Sequence, residues 1–310
     1  MKEYNKKPLT YSEQVDLLMS RGLVVKNKTK AELYFQQISY YRLSAYTLPY
    51  QFEKDIFNEG VTFENILDTY LFDRELRLLI FNAIERIEIA IRTQIIYQLS
   101  HKYGSHWQDK KEIFKEIRKG EKDVFSETQK AIQEQRNAKH PEVFIKHYRD
   151  EYTSPLNPPS WMCIELLTIG QLSRLFTALK DNTDKEAIAL FFGLHHSVFS
   201  SWFHAIVYIR NICAHHSRLW NRDFGVKPFL LIKPLKQWTE LPFINNNHRC
   251  FYFLCLLKYM LQSANPTNHL KQHLLDLFAK YPVVPIQRLG IPSDLNGNIV
   301  DWENDPLWRS

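Results

Sequence analysis

Glycine is scarce in this chain, nine residues in 310. None of them builds the G-x-G-x-x-G turn or the G-x-x-x-x-G-K-[ST] loop, so the common backbone cradles for dinucleotides and nucleoside triphosphates are missing. G-x-S-x-G and H-E-x-x-H are missing too, which removes the usual esterase elbow and zinc-protease helix; unfamiliar versions of those chemistries survive the test. There are only four cysteines, and they form no pair of C-x-x-C motifs. A zinc site is therefore not expected, and buried free thiols are the simpler reading. No apolar run approaches the length of a bilayer span; FYFLCLL at 251–257 is among the longest. The opening MKEYNKKPLTYSEQ is basic with no apolar core behind it, unlike a secretory signal. A cytoplasmic protein with no membrane partner is the expectation. The formal charge of +6 permits a polyanionic partner without establishing one.

What is present reads as helix throughout, so the fold class is all-α. YSEQVDLLMSRG (11–22) has an apolar stripe at Val15, Leu18 and Met19 and stops at Gly22. TKAELYFQQI (29–38) follows, then the aromatic SYYRLSAYTLPYQF (39–52). From Phe63 to Tyr103 runs the longest helical pattern, free of glycine and proline and ended by Gly104; its isoleucine and leucine content implies burial on more than one side. Residues 105–151 mix charges of both signs and read as exposed helices and loops. SPLNPPS (154–160) is a break. Helices are expected over 161–180, 185–194, 197–222, 249–264 and 268–281. Pro228, Pro234 and Pro242 mark an extended connection, and Val24–Val25 and FLLIK (229–233) are weak strand candidates. The organisation that follows is an N-terminal helical extension over 1–62, a helical domain over 63–281 with the charged insertion 105–151, and an irregular C-terminal tail over 282–310.

One stretch, RNICAHHSRLWNR (210–222), carries chemistry. On a continuous helix, Arg210, Asn211, His215, Arg218, Asn221 and Arg222 fall within an arc of about 140° at 100° per residue. Ile206, Ile209, Ile212, Cys213, Leu219 and Trp220 fall opposite, and His216 sits on that apolar side as the lesser candidate. Such a polar face suits RNA cleavage without a metal or cofactor. Histidine can take a proton from a ribose 2′-OH or give one to a departing 5′-oxygen near neutral pH. Arginine offers planar donors that match a phosphate as charge develops on it. Asn211, one turn before His215, could orient the imidazole. One histidine supplies half of the acid–base pair, so a homodimer with a composite cleft is expected. A solvated or salt-bridged helix face remains the ordinary alternative.

Other residues fit two readings. Arg74, Arg77, Glu85, Glu88 and Arg92 form one charged line on the long helix. It is read first as a structural ion-pair ladder, with Glu88 and Arg92 paired at i,i+4, and second as support for Arg210 from Glu85 or Glu88. Tyr40, Tyr41, Tyr46 and Tyr50 interleave with Arg42 and could stack bases, or could be core and rim residues. Lys110, Lys111, Lys115, Lys119 and Lys122, with Arg118, could track a phosphate backbone, although the interspersed acids favour a solvated face.

Arg210-Asn211-Ile212-Cys213-Ala214-His215 resembles the R-x4–6-H motif of the HEPN superfamily, in the form where Asn follows Arg. LTYSEQVDLLMSRGL, ISYYRLSAY, YLFDRELRLLIFNAIERIEIAIRTQI and FIKHY, the helix from Trp161 to Leu175 and the motif itself together look like the Abi family of bacterial abortive-infection proteins, AbiD/AbiF-like. The resemblance implies a HEPN-type helical bundle that dimerises. It implies a metal-independent endoribonuclease with Arg210 and His215 as the catalytic pair and Asn211 assisting. Arg218, Arg222, His216, Glu85, Glu88, Arg92 and Arg42 are the candidates for RNA-binding or supporting roles. It further implies RNA as substrate, a role in phage defence, and a structured non-coding RNA as a partner holding a toxin in check. A catalytically silent RNA-binding protein is the alternative, and a transferase acting on RNA ends is a third reading.

Overall fold

The longest uninterrupted pattern forms the axis of the fold. In the computed structural model, which describes every residue except 1, 2, 4, 6, 118, 119, 121, 244, 245 and 310, it is one helix of 41 residues, α4 (Phe63–Tyr103). Thr62 and Asn65 close a capping box at its start, and Gly104 ends it with a φ of 89°. The inward line includes Phe72, Leu76, Ile80, Ile84, Ile87, Ile91, Ile95 and Leu99, each at most 1% exposed.

Three short helices precede it: α1 (Tyr11–Ser20), α2 (Lys28–Ile38) and α3 (Tyr40–Thr47). They pack on the start of α4, where the ring of Phe35 meets Phe63 edge-on at 5.9 Å. After it come α5 (Val124–Arg136), α6 (Val143–Glu151), α7 (Ser160–Cys163), α8 (Ile169–Ala178), α9 (Asn182–Phe191), α10 (His196–Ala214), α11 (Cys250–Ala264), α12 (Leu270–Lys280) and the four-residue α13 (Pro306–Arg309). α4 packs against α3, α9, α10, α11 and α12. α11 is buried on every side from Cys250 to Leu261, Lys258 included, as a helix apolar on nearly all faces must be.

The chain is mostly α, as its pattern says. Among the described residues the one sheet is a small hairpin, β1 (Gln51–Glu53) against β2 (Ile56–Phe57). The expected strands lie elsewhere: Val24 makes a single bridge to Thr62, and residues 229–233 are irregular. The Phe229 carbonyl instead accepts from Trp202 Nε1 at 2.8 Å and from the Tyr252 hydroxyl at 2.9 Å.

Two helices expected from the pattern are shorter than expected. The 161–180 helix breaks at Leu167 because Thr168 and Gln171 form a capping box that starts α8 afresh. At the break the buried Arg92 guanidinium donates to the Ile164 and Leu167 carbonyls. The 197–222 helix stops at Ala214. The C-terminal tail is largely irregular, yet it is a core element: Trp302 and Trp308 are buried, and both pack on Phe251. One hydrophobic cluster runs from Val15 to Trp308. All four cysteines are free and buried within the fold.

Candidate active site

α10 carries Arg210 and Asn211 into its last turn, and His215 caps it, its amide donating to the Asn211 carbonyl at 2.9 Å. His216 then takes the left-handed conformation, with φ 55°. Its amide donates to the Cys213 carbonyl at 3.1 Å and that of Ser217 to Ile212 at 2.9 Å. This is a Schellman closure in which histidine stands where glycine is usual. Arg218, Asn221 and Arg222 are therefore not on the helix, and the single polar arc expected across 210–222 is corrected to its first half. His216 is corrected as well: it is exposed, not on an apolar side.

The turn is held from outside by a residue with no place among the sequence candidates. Asp73 of α4 is fully buried. Its carboxylate accepts from the Trp220 amide at 2.7 Å, the Leu219 amide at 3.1 Å and the Tyr46 hydroxyl at 2.6 Å, and it pairs with Arg77. Burial pushes this carboxyl up from the ordinary range, while Arg77, Tyr46 and the two amides oppose that. Every contact is one that a carboxylate accepts. A signal existed in the sequence: Thr69, Asp73, Leu76 and Ile80 share the inward spacing of α4, so Asp73 is a charge on an apolar stripe.

α3 clamps the same turn. Arg42 donates to the His216 carbonyl at 2.6 Å, and Arg218 donates to the Ala45 carbonyl at 2.8 Å. Arg222 donates to the Arg218 carbonyl at 3.2 Å. Burial, and after it the nearby Arg222 and Arg249, pull the Arg218 guanidinium down from its ordinary value. Burial pushes the Cys213 thiol up to about 12, so this motif cysteine is a packing group and no nucleophile.

Arg210 is half-buried, and its guanidinium lies 5.5 Å from the centroid of the Phe81 ring on α4. Its Nε is buried and has no hydrogen-bond partner among the described residues. Asn211 and His215 are exposed. One end of α10 thus presents a fixed cation with a donor to spare, an amide and an imidazole, all on a braced turn.

The charged line on α4 divides. Glu88 bonds Arg92 at 3.0 Å, and Glu165 lies 3.5 Å from Arg92 on the other side. That group serves the break between α7 and α8, not Arg210. Glu85 is exposed and enters no ion pair among the described residues. Of the four tyrosines around Arg42, three are structural: Tyr40 accepts from Arg21, Tyr46 bonds Asp73, and Tyr50 bonds Thr69 and stacks on Trp220. Tyr41 is 88% exposed. Of the lysine track, Arg118 and Lys119 lie outside the described residues, whereas Lys111, Lys115 and Lys122 line a large cavity beside α8 and α10.

Among the described residues, Glu186, His195 and His196 are close enough for one atom of each to share a metal ion. Two of those side chains already work as caps: Glu186 accepts the His196 amide and His195 accepts that of Ser197. Lys185 and Lys115 also act on His196, a field that disfavours a cation. No helix of the described residues is long and apolar enough to cross a membrane.

A family model described as Abi-like protein matches residues 33–221. No curated protein and no solved structure matches the chain. The matched stretch opens in α2 and closes just after Trp220, and its closing turn is bonded by Arg42 of α3 and Asp73 of α4.

Proposed function

The chain belongs to the Abi-like protein family, and on that premise we propose that it is a metal-independent endoribonuclease of the HEPN type, AbiD/AbiF-like, that acts in abortive infection. The observation that carries this reading is the end of α10. Arg210 keeps a buried, unshared Nε beside exposed Asn211 and His215, on a turn fixed by Asp73 and Arg42. A site that sets a positioned arginine cation beside an exposed histidine is what phosphodiester transesterification requires.

In the proposed reaction the ribose 2′-oxygen attacks the adjacent phosphorus. The 2′-OH proton passes to a neutral imidazole, and the P–O5′ bond breaks. The leaving oxygen takes a proton from a second group, giving a 2′,3′-cyclic phosphate and a 5′-hydroxyl. Arg210 neutralises the charge that builds on the non-bridging oxygens, and Asn211 orients His215 or holds a phosphate oxygen.

Two protons move, and one chain offers one such histidine, so the active species is a homodimer. Leu78, Phe81 and Ile89 are 58%, 38% and 53% exposed on α4, and with Glu85 they span an arc of about 80°. This apolar face adjoins Arg210 through Phe81. A second copy packed there would bring two α10 ends together. A structured non-coding RNA that holds the enzyme silent fits the basic turn formed by Arg42, Arg218 and Arg222.

The test is induced expression in a bacterial host. Growth arrest with fragmented RNA, lost in both Arg210→Ala and His215→Ala, supports the reading. Arrest that survives both substitutions removes the catalytic role from this helix.

A further inference from the structure

Away from the motif, α8, the starts of α5, α9 and α10 and residues 111–117 line an open cavity of about 1490 Å³. Its wall is built by a strand-like crossing: the Lys115 amide donates to the Ala178 carbonyl at 2.9 Å, and that of Lys180 donates to Ile113 at 2.8 Å. Six lysine or arginine side chains line it against three carboxylates, together with His196 and His204.

Lys185 is the unusual member. It is only 6% exposed, bonds Asn182 Oδ1 at 3.2 Å, and enters no ion pair among the described residues. Its exposed neighbour Lys115 likewise has a carbonyl partner, Thr177 at 2.8 Å, and no carboxylate partner among the described residues. Burial, with Lys115 next in effect, pushes the Lys185 ammonium down to about 8, while Asp181 and Asp184 oppose this. Two crowded cations, one desolvated, form a site that an anion would relieve.

The cavity also holds an aromatic platform. Phe229 is 56% exposed at its edge, yet its backbone is fixed at both ends, the amide to Ser201 and the carbonyl to Trp202 and Tyr252. One face of α10 runs from the cavity at exposed His204 past half-buried Tyr208 to exposed Asn211 and His215. The distance along the axis from His204 to His215 is about 16 Å at 1.5 Å per residue. That is about five nucleotides of a stacked strand at 3.4 Å each.

We propose that this cavity is an anchoring site for single-stranded RNA, in which Lys115 and Lys185 hold a backbone phosphate and Phe229 stacks a base, a few nucleotides from the bond presented to His215. The proposal rests on the ribonuclease reading for the identity of the strand. Phosphate charge answers the two lysines, and a base answers the exposed ring. A bare anion would leave Phe229 without a role, whereas a nucleotide strand brings a phosphate and a stacking base together.

The test measures fluorescence anisotropy of a labelled twelve-nucleotide single-stranded RNA in the full-length His215→Ala background, so that nothing is cut. Lys115→Gln/Lys185→Met is expected to weaken binding at least tenfold and to flatten the log Kd against log salt slope by about 0.7, as the loss of one phosphate contact requires. Phe229→Ala should weaken binding about tenfold with the slope unchanged, and the exposed Lys139→Gln should match its parent. Lys115→Gln alone, at an exposed position, should show part of the loss if the pair proves difficult to fold. Unaltered affinity and slope in Lys115→Gln and in the pair overturn the proposal, as does displacement of the RNA from the cavity by micromolar AMP, which would assign it to a free nucleotide. Cleavage by the otherwise wild-type chain is scored separately. RNA cut normally by the cavity variants sinks the anchor and spares the nuclease; RNA bound through the cavity but never cut does the reverse.

Discussion

The Asp73 carboxylate and the Trp220 amide lie 2.7 Å apart, joining the middle of the fold to the end of the motif segment. Asp73 also takes the Leu219 amide, the Tyr46 hydroxyl and Arg77, so one buried side chain fixes α3, α4 and the turn after His215. Replacing it strands a buried guanidinium and two amides. Asp73→Ala is expected to cost about 3–5 kcal/mol in urea unfolding. Asp73→Ala/Arg77→Met should recover part of that loss, because the second change removes the orphaned charge. Equal stability of wild type and Asp73→Ala would show that the turn is held by something else.

His216 occupies a left-handed backbone position at φ 55°. His216→Gly relieves that conformation and should raise stability by about 1 kcal/mol. Denaturant midpoints measure it. A loss of stability would mean that the imidazole makes a contact worth more than the strain.

Arg42 reaches across from α3 to the His216 carbonyl from an exposed position. Arg42→Ala should leave stability within about 0.5 kcal/mol of wild type. RNA cleavage should fall roughly tenfold, because a loosened turn misplaces His215. Unchanged turnover with a clear loss of stability would reduce Arg42 to scaffold.

Ile89 stands on the exposed apolar face of α4. Ile89→Glu places a charge in the proposed dimer contact, and light scattering should then report a monomer in place of the dimer expected of the wild type. Cleavage should fall with the dimer fraction. A fully active monomer would contradict the composite site.

Lys185 gives a pH signature. Its folded-state value is pushed down to about 8 from 10.5, chiefly by burial, with Lys115 adding to the shift and Asp181 and Asp184 opposing it. Between those values the unfolded chain binds the proton and the folded chain does not, so stability from this group rises with pH across that window and is flat below it. The full rise is on the order of 3 kcal/mol. Wild type measured against Lys185→Met from pH 7 to 10 should gain stability over this range. A constant difference would show that Lys185 is solvated.

The long helix, its glycine stop and the all-α class were legible because periodicity and end signals agreed over Phe63–Tyr103. The end of α10 was not, because a histidine fills the left-handed cap and the force that turns the chain comes from Asp73, well over a hundred residues away in sequence. The break at Leu167 had a visible cause, the Thr168–Gln171 capping box, masked by apolar spacing that continues through it. The tail hid its role because two tryptophans anchor it to Phe251 without any period. At the motif, residue type singled out Arg210, Asn211 and His215 as candidates, whereas the environment of Arg210 depended on where Phe81 falls.

Incubation of purified protein with a defined single-stranded RNA in EDTA, followed by analysis of the product ends, tests the central claim most directly. The expected result is a 2′,3′-cyclic phosphate and a 5′-hydroxyl from the wild type, with both lost in Arg210→Ala and His215→Ala while the variants keep their fold. Undiminished cleavage by the folded His215→Ala protein, or products ending in a 5′-phosphate, would contradict it.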